Sequence, residues 1–166
     1  SNNYATFNPL FKSYLASTCS EGNLRVTSGS GWVAVPSTFS VSSGKWYMEF
    51  VTTTSTARFY VVGDNSDIWF GSEMDPQEGN SAIGYSSDGN KYIDNVETSY
   101  GATWGSGDTI AVALNMDGSE VTFYKNNISQ GVISFSGSIT NASFVTPFAL
   151  GGWYSDSHTS ANFGQR

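Results

Sequence analysis

The side chains able to act as nucleophiles or general bases are few, and they lack the neighbours that catalysis needs. His158 is the only histidine and Cys19 the only cysteine, so no intrachain disulfide can form. Neither residue belongs to a GxSxG, HExxH, GxxxxGK[ST] or GxGxxG pattern, which would mark a hydrolase, a zinc protease or a nucleotide site. The sequence therefore predicts a surface histidine, a structural thiol and no catalytic residue.

Acidic residues are more numerous, with 14 Asp and Glu against 7 Lys and Arg. Glycoside hydrolysis needs two carboxylates that face each other across a cleft. The acid best placed on a predicted strand is Glu49, whose neighbours on the same strand face are Tyr47 and Val51. This spacing argues against hydrolase chemistry, and the chain is predicted not to be an enzyme.

A second group of acids lies in a long segment without a clear period: Asp64, Asp67, Glu73 and Asp75. Calcium takes roughly six to eight oxygen ligands, which four carboxylates and backbone carbonyls can supply. The spacing lacks the glycine of an EF-hand loop, so a solvated acidic loop is the preferred interpretation. We predict no metal and no cofactor, and the sequence leaves calcium binding by residues 64–75 open.

The formal net charge of −7 limits the partners that the chain can bind. Phosphate backbones and anionic membrane surfaces attract clustered Lys and Arg, and this sequence has no such cluster. No apolar run approaches the roughly 20 residues needed to cross a bilayer. The sequence predicts neither nucleic-acid binding nor membrane insertion.

Tryptophan is placed mainly in or beside predicted loops, at Trp32, Trp69, Trp104 and Trp153. Aromatic rings next to Gly and Asn make flat platforms for peptides or sugars. The alternative is that two or three of these rings cap the ends of the fold as part of the core. Trp46, by contrast, alternates with polar residues and is predicted to be buried.

The elements that must position these side chains have a hydrophobic period of two, which indicates β-strands. The pattern is clearest in residues 107–131 (GDTIAVALNMDGSEVTFYKNNISQG), where Asp117-Gly118 suits a two-residue hairpin turn and residues 125–127 a second turn. One strand face carries Ile110, Val112, Leu114, Val121 and Phe123. Such a meander must bury this face against a second sheet.

The whole chain predicts an all-β fold, a two-sheet antiparallel β-sandwich. Strands are predicted at residues 23–27, 45–53, 57–63, 82–86, 91–93, 109–115, 119–125, 132–135, 144–150 and 160–163. Trp46, Met48 and Phe50 are predicted to join the apolar hairpin residues in one core. No linker divides residues 1–166, so we expect one domain, excised or processed from a longer protein. Recognition is expected in the irregular segments 28–38, 64–81 and 151–159.

Five short segments stand out along the chain: residues 43–50 (SGKWYMEF), 83–89 (IGYSSDG), 107–126 (GDTIAVALNMDGSEVTFYKN), 145–150 (VTPFAL) and 161–165 (ANFGQ). In this order they resemble the SPRY domain family over residues 24–165. Each segment is weak by itself, whereas five in the right order are specific. The resemblance implies a bent sandwich of the concanavalin A-like, jelly-roll type that binds proteins or peptides without catalysis.

In that family, binding residues come from loops at one end of the sandwich. The resemblance places those loops at residues 28–32, 88–92 and 151–154. The ligand-binding residues predicted there and beside them are Trp32, Asn90, Tyr92, Trp153, Tyr154 and Asp156. The loops do not reproduce the motifs of well-known peptide-binding members, so their location is carried over and their chemistry is not.

The surface is rich in Ser, Thr, Gly and Asn and poor in Lys, and the chain opens with YATFNPL after three residues. These features resemble SPRY domains of bacteriophage and environmental sequences, which implies an extracellular or virion-surface setting such as a tail fibre. Two hypotheses compete: an adhesion module that binds a protein or a cell-surface glycan, and a structural decoration domain without a selective ligand. An exposed aromatic patch at the loop end favours the first, and a broad apolar patch on a sheet face favours the second. The oligomeric state is left open.

Overall fold

A computed structural model describes residues 4–11, 17–28, 32–70, 79–136, 138–151 and 157–164. These residues form β-strands and two short 3₁₀ turns, at Asp67–Phe70 and Ile139–Asn141. The strands are β1 (Ser17–Ser20), β2 (Arg25–Ser28), β3 (Val33–Pro36), β4 (Lys45–Thr52), β5 (Arg58–Gly63), β6 (Ala82–Ser86), β7 (Asn90–Ile93), β8 (Val96–Ser99), β9 (Thr109–Asn115), β10 (Glu120–Lys125), β11 (Ile128–Ser134), β12 (Val145–Gly151) and β13 (His158–Asn162). No helix among the described residues is long and apolar enough to cross a membrane.

The strands form two antiparallel sheets. One sheet has seven strands in the order β1-β2-β13-β4-β9-β10-β11, and the other has six in the order β3-β12-β5-β6-β7-β8. Along the described strands, the chain passes between the two sheets six times, including the steps from β4 to β5 and from β12 to β13. The predicted all-β, two-sheet antiparallel sandwich is confirmed.

Each of the ten predicted strands overlaps an observed one, and the bounds of β6 and β9 agree. The strands β1, β3 and β8 were not predicted. Strand β3 reads VAVP and is buried on both faces, so it lacks the period-two signal that predicts a strand. Strand β8 reads VETS and is exposed throughout, so it has no apolar face to mark it.

The hairpin of β9 and β10 has the apolar faces that the sequence predicts. Leu114 pairs with Val121 and Val112 pairs with Phe123, and each of these four residues is at most 1% exposed. Paired residues of an antiparallel ladder point to the same side of the sheet. The two strands therefore present one continuous apolar surface to the facing sheet.

The turn predicted at Asp117-Gly118 is wrong in type. Strand β9 ends at Asn115 and β10 begins at Glu120, so four residues make the connection, and the positive φ of 55° falls on Ser119. The Asp117 carboxylate instead accepts a hydrogen bond from the backbone N–H of Gly44 at 2.8 Å. This long-range bond braces the segment before β4, which a local reading of the dipeptide could not anticipate.

The two-residue turn lies at the next connection, between β10 and β11. Asn126 and Asn127 have φ angles of 48° and 66°, and Lys125 pairs directly with Ile128. Positive φ at both central positions is the geometry of a type I′ turn, which Asn tolerates. The second predicted turn is therefore confirmed, and the third strand starts earlier than predicted.

A single main core fills the space between the sheets. Seven of the eight predicted core residues belong to it and are at most 1% exposed: Met48, Phe50, Ile110, Val112, Leu114, Val121 and Phe123. The second sheet contributes Phe59, Val61, Ile83 and Tyr85 from the faces of β5 and β6 that point toward it. Alternation along the strands thus predicts the core correctly wherever both sheets are present.

The exception is Trp46, which is 45% exposed. Its position alternates correctly, because Trp46 pairs with Leu114 just as Met48 pairs with Val112. Trp46 lies only one residue from the start of β4, however, where the facing sheet no longer covers the strand. Its predicted burial is wrong because strand alternation gives the face of a residue and not the extent of the opposite sheet.

Aromatic rings connect the two sheets through the core. Phe50 of β4 stacks on Phe59 of β5, with ring centroids 4.6 Å apart and an interplanar angle of 12°. Phe59 in turn stacks on Trp104 at 5.4 Å. Trp104 comes from a predicted loop, yet it is only 5% exposed. Of the two alternatives for the loop tryptophans, Trp104 takes the structural one and caps the core.

Asp108 holds the loop that carries Trp104. Its Oδ2 accepts the backbone N–H of Gly105 at 2.9 Å, and its Oδ1 accepts the side-chain amide of Asn126 at 2.7 Å. The Lys125 Nζ lies 3.4 Å from Oδ2. These contacts, the Gly105 bond first, hold the pKa of the Asp108 carboxyl below its ordinary value.

We expect Phe123→Ala to lower the free energy of unfolding by about 3–5 kcal/mol, because it opens a cavity in a close-packed interior. Denaturant melts provide the measurement. Tyr47→Ala is the matched control, since Tyr47 lies on the outer face and is 52% exposed. A loss below about 1 kcal/mol for Phe123→Ala would contradict its burial.

Asp108→Asn tests the loop anchor through its pH dependence. A depressed folded-state pKa stabilises the fold above the unfolded-state pKa of about 3.9, and this stabilisation is lost as the pH falls through the folded-state value. Because the side chain is partly exposed, we expect Asp108→Asn to cost less than about 1 kcal/mol at pH 7. Urea melts at pH 7 and below pH 3 should show this difference shrinking. If wild type and Asp108→Asn differed in unfolding free energy by the same amount at both pH values, the Asp108 carboxylate would not anchor the loop through its charge.

Candidate functional site

The register of the six-stranded sheet brings the described residues that border the predicted loops to one end. Strand β12 ends at Gly151, which pairs with Val33 at the start of β3. Arg58, at the start of β5, pairs with Leu150 and with Ser86 at the end of β6. The turn that follows β6 leads directly into β7. Residue 32, the start of β7 at Asn90 and the end of β12 at Gly151 therefore lie at the same end of the sheet.

The outer face of this sheet carries a second apolar cluster. Its buried members are Ala34, Tyr60, Val62, Ile68, Ala82 and Tyr92, and Trp32 packs against them. Ile68 belongs to the 3₁₀ turn at Asp67–Phe70 within the long middle loop. This part of the predicted recognition loop therefore covers the sheet, and the remainder, residues 71–78, lies outside the described residues.

Arg58 lies between two aromatic rings at the loop end of this cluster. Its guanidinium carbon is 4.4 Å from the centroid of the Trp32 ring and 4.9 Å from that of Tyr92. Both distances fall within the range of cation–π contacts. The stack holds a cation and an indole in a fixed arrangement near the surface, which is the property of a preorganised binding site.

Tyr92 was predicted to be presented by a loop, and this placement is wrong. It lies in β7 and is 2% exposed, with its ring 6.4 Å from that of Tyr60. Gly84, its partner in β6, makes room for this packing, because a Cβ there would lie 2.2 Å from the Tyr60 ring. Burial raises the pKa of Tyr92 to about 12, so its hydroxyl stays neutral at physiological pH.

Asn90 and two acids form the rim beside the stack. The Asn90 side-chain amide donates to Glu97 Oε1 at 2.7 Å, and the Asn90 backbone N–H donates to Asp88 Oδ1 at 3.1 Å. Both carboxylates are exposed. Glu97 also pairs with Tyr92 across β7 and β8, so it lies next to the stack. The rim is therefore polar and acidic.

The set formed by Trp32, Arg58, Asn90, Tyr92 and Glu97 is called the Arg58 surface below. Trp32, Asn90 and Tyr92 were predicted from the sequence, whereas Arg58 and Glu97 were missed. The signal for Arg58 was a single cation at the start of the apolar strand RFYVVG. Trp153, Tyr154 and Asp156 lie outside the described residues.

The residues considered for catalysis are engaged in hydrogen bonds elsewhere. His158 Nδ1 accepts a hydrogen bond from an Arg25 guanidinium nitrogen at 2.9 Å. Glu49 accepts the Tyr47 hydroxyl at 3.0 Å and the Asn162 amide at 3.3 Å. Within the described residues, no group of three His, Cys, Asp or Glu side chains is arranged to hold a metal. Glu73 and Asp75, two of the acids considered for calcium, lie outside those residues.

Comparison with solved structures shows the same fold in SPRY domains. The SPRY domain of human HERC1 superposes with a TM-score of 0.77 and 16% identity, covering 96% of this chain and 99% of that domain. The TRIM65 PSpry domain superposes with a TM-score of 0.73 and 16% identity, covering 96% of this chain and 92% of that domain. A human SPRY domain superposes with a TM-score of 0.70 and 13% identity, covering 94% of this chain and 99% of that domain. At such low identity these similarities establish the fold alone.

Sequence comparison supplies the family. No curated protein sequence matches the chain. The sequence profile of the SPRY domain, however, matches residues 42–166, which include β4 to β13 and most of the Arg58 surface. Trp32 precedes the matched region. The predicted resemblance is thereby confirmed, and the chain belongs to the SPRY domain family.

Proposed function

We propose that this chain is a non-catalytic binding module that recognises a protein or peptide through the Arg58 surface. SPRY domains are generally protein-interaction modules, which supports a binding role at this coarse level. The observation that carries the proposal is the stack of Arg58 between Trp32 and Tyr92 at the end of the sheet where the loops emerge. Aromatic residues and arginine are the residue types that dominate binding energy at interfaces.

The charge of the surface defines the partner further. Asp88 and Glu97 are exposed at its rim, and the whole chain carries a formal charge of −7. The charge of Arg58 lies between two aromatic rings. A segment with Lys or Arg at its edge and an aromatic or apolar side chain at its centre complements this arrangement. Tyr92 acts here as the inner support of Arg58, because it is buried.

The proposed site also includes three residues that lie outside the described ranges, as the sequence predicted. Trp153, Tyr154 and Asp156 follow Gly151, which pairs with Val33 one residue after Trp32. The described end of β12 therefore lies next to Trp32. We therefore retain these three residues as proposed ligand contacts, together with Trp32 and Asn90, whereas the buried Tyr92 supports Arg58 from within.

The alternative function is structural decoration without a selective ligand. The outer face of the seven-stranded sheet distinguishes this function from recognition, because a broad apolar patch on that face would favour assembly. Tyr47 and Val132 are exposed on that face, but the register places Ala113 and Thr122 between them. The exposed apolar side chains are thus separated, as on an ordinary surface. This arrangement supports the recognition module over decoration.

The setting we propose is the surface of a virion or of a cell appendage, where the module contacts a host. Support comes from composition, with few Lys and Arg and abundant Ser, Thr, Gly and Asn. A cell-surface glycan is the alternative partner in this setting. The described fold is compatible with either partner at the loop end.

Peptide selection tests the Arg58 surface. Random 12-residue peptides displayed on phage are selected on the immobilised domain, and the best binders are measured by titration calorimetry. Trp32→Ala should weaken binding at least about thirty-fold, since truncating a central Trp costs at least about 2 kcal/mol. Glu97→Lys should select against basic peptides.

The matched control for Trp32→Ala is Phe144→Ala. Phe144 is a 48% exposed aromatic residue that precedes β12, at the opposite end of that strand from Gly151. Phe144→Ala should leave the affinity of the domain for the selected peptides unchanged. Equal affinity of wild type, Trp32→Ala and Glu97→Lys, with all variants folded, would refute the Arg58 surface.

Adsorption to cells tests the proposed setting. Fluorescently labelled domain is incubated with a panel of candidate bacterial host cells, and bound fluorescence is compared for wild type and Trp153→Ala. We expect saturable adsorption to some hosts and a loss of at least about thirty-fold in affinity for the variant. Adsorption that is identical for both proteins would remove residues 151–154 from the site.

A further inference from the structure

A groove lies at the opposite end of the sandwich from the Arg58 surface. Strand β4 runs from Lys45 to Thr52, and the Phe50–Phe59 stack shows that the end of β4 faces the start of β5, where Arg58 lies. Trp46 is six residues before Thr52, so about 20 Å of extended strand separates the two ends. The groove at the Trp46 end has a volume of about 420 Å³. This falls within the roughly 300–1,000 Å³ of small-molecule sites.

The groove is lined by side chains that the core leaves uncovered. Its principal residues are Tyr4, Phe39, Ser42, Ser43, Trp46 and Tyr47. Tyr4 is 50%, Trp46 45% and Tyr47 52% exposed. Three large aromatic side chains at half exposure around one groove contrast with the fully buried rings of the core. This set is called the Trp46 groove below.

The aromatic residues present ring surface rather than hydrogen-bonding groups. The indole Nε1–H of Trp46 donates to the Ser43 carbonyl at 2.8 Å, and the Tyr47 hydroxyl donates to Glu49 at 3.0 Å. Each polar atom is therefore satisfied within the fold. A ligand in the groove meets these two residues mainly through their carbon faces.

The Trp46 ring is also held in place from behind. It packs on Phe39 with ring centroids 5.9 Å apart, and Phe39 meets Phe163 edge-on at 5.8 Å. Phe163 contacts the buried ring of Phe50 in the same manner at 5.9 Å. The platform is thus continuous with the core. A ligand that stacks on Trp46 does not have to order it first, which lowers the entropic cost of binding.

The polar lining consists of hydroxyl groups without charge. Ser42 and Ser43 are exposed, and their hydroxyls make no hydrogen bond within the described residues. Ser40 completes the row and bonds to Thr146 at 2.6 Å. No Asp, Glu, Lys or Arg is among the described lining residues. The chemistry of the groove therefore matches a neutral ligand that has both apolar C–H faces and hydroxyl groups.

We propose that the Trp46 groove binds a neutral saccharide. A pyranose ring offers a flat face of C–H groups to the indole of Trp46 and equatorial hydroxyls to Ser42 and Ser43. An extended peptide fits less well, because it carries one carbonyl per residue and the Trp46 indole N–H already has an acceptor. The charge of an acidic sugar adds no binding energy here, because the described lining residues include no Lys or Arg that could pair with it.

The test follows the Trp46 indole N–H by ¹⁵N NMR during titration of the intact chain with neutral disaccharides: maltose, cellobiose, lactose and chitobiose. At least one sugar should shift this resonance and the Ser42 and Ser43 amides in a saturable manner. Trp46→Leu should weaken that affinity at least about ten-fold, or about 1.4 kcal/mol. Trp46→Tyr keeps a flat ring and should retain most of it.

One further variant and one further probe make the outcome decisive. Ser42→Arg fills the groove without removing a buried group, so it should abolish sugar binding in a folded domain. No saturable shift by any of the sugars, or equal binding by Trp46→Leu and Trp46→Tyr, would overturn the proposal. So would a proline-rich peptide that shifts the Trp46 resonance where the sugars do not. Peptide binding at the Arg58 surface is read from the Trp32 resonance, so either site can fail independently.

Discussion

The stack of Phe50 on Phe59 is the contact on which the rest of this structure depends. It joins consecutive strands of the two sheets, at 4.6 Å and nearly parallel, and both rings are at most 1% exposed. Phe59 extends the contact to Trp104, and Phe50 extends it to Phe163. Aromatic pairs add about 0.5–1.5 kcal/mol beyond the area that they bury. The register of this stack fixes which strand ends meet, and thereby where each candidate site is formed.

The same contact explains why the two ends of the sandwich differ in chemistry. At the start of β5, Arg58 turns away from the core and is held between Trp32 and Tyr92, beside exposed carboxylates. At the start of β4, Trp46 stays on the core side but extends past the facing sheet, beside uncharged serines. We therefore propose a charged peptide as the ligand of one end and an uncharged ligand with apolar faces for the other.

Local sequence preference determines the conformation of one hairpin turn, and a long-range contact accompanies the other. The Asn126-Asn127 turn follows directly from the tolerance of Asn for positive φ, and the sequence predicted it. The Asp117-Gly118 dipeptide has an equally strong local preference, yet the Asp117 carboxylate bonds to Gly44, which is distant in sequence. A hydrogen bond of this kind is visible only when β4 and β9 have been paired, so no local pattern can reveal it.

The sequence by itself determined the fold class, the family and the inward face of most strands, because alternation and turn chemistry are local properties. Through the resemblance to the family it also predicted recognition at residues 28–32, 88–92 and 151–154, which stays a prediction. Only the tertiary structure decided which residues of a face are covered. Trp46 lies beyond the facing sheet, Tyr92 lies under a neighbouring side chain, and Arg58 meets Trp32 across strands distant in sequence. Burial and cross-strand stacking depend on where the strands of the two sheets end relative to each other. The hydrophobic period of a single strand carries no information about these relative positions.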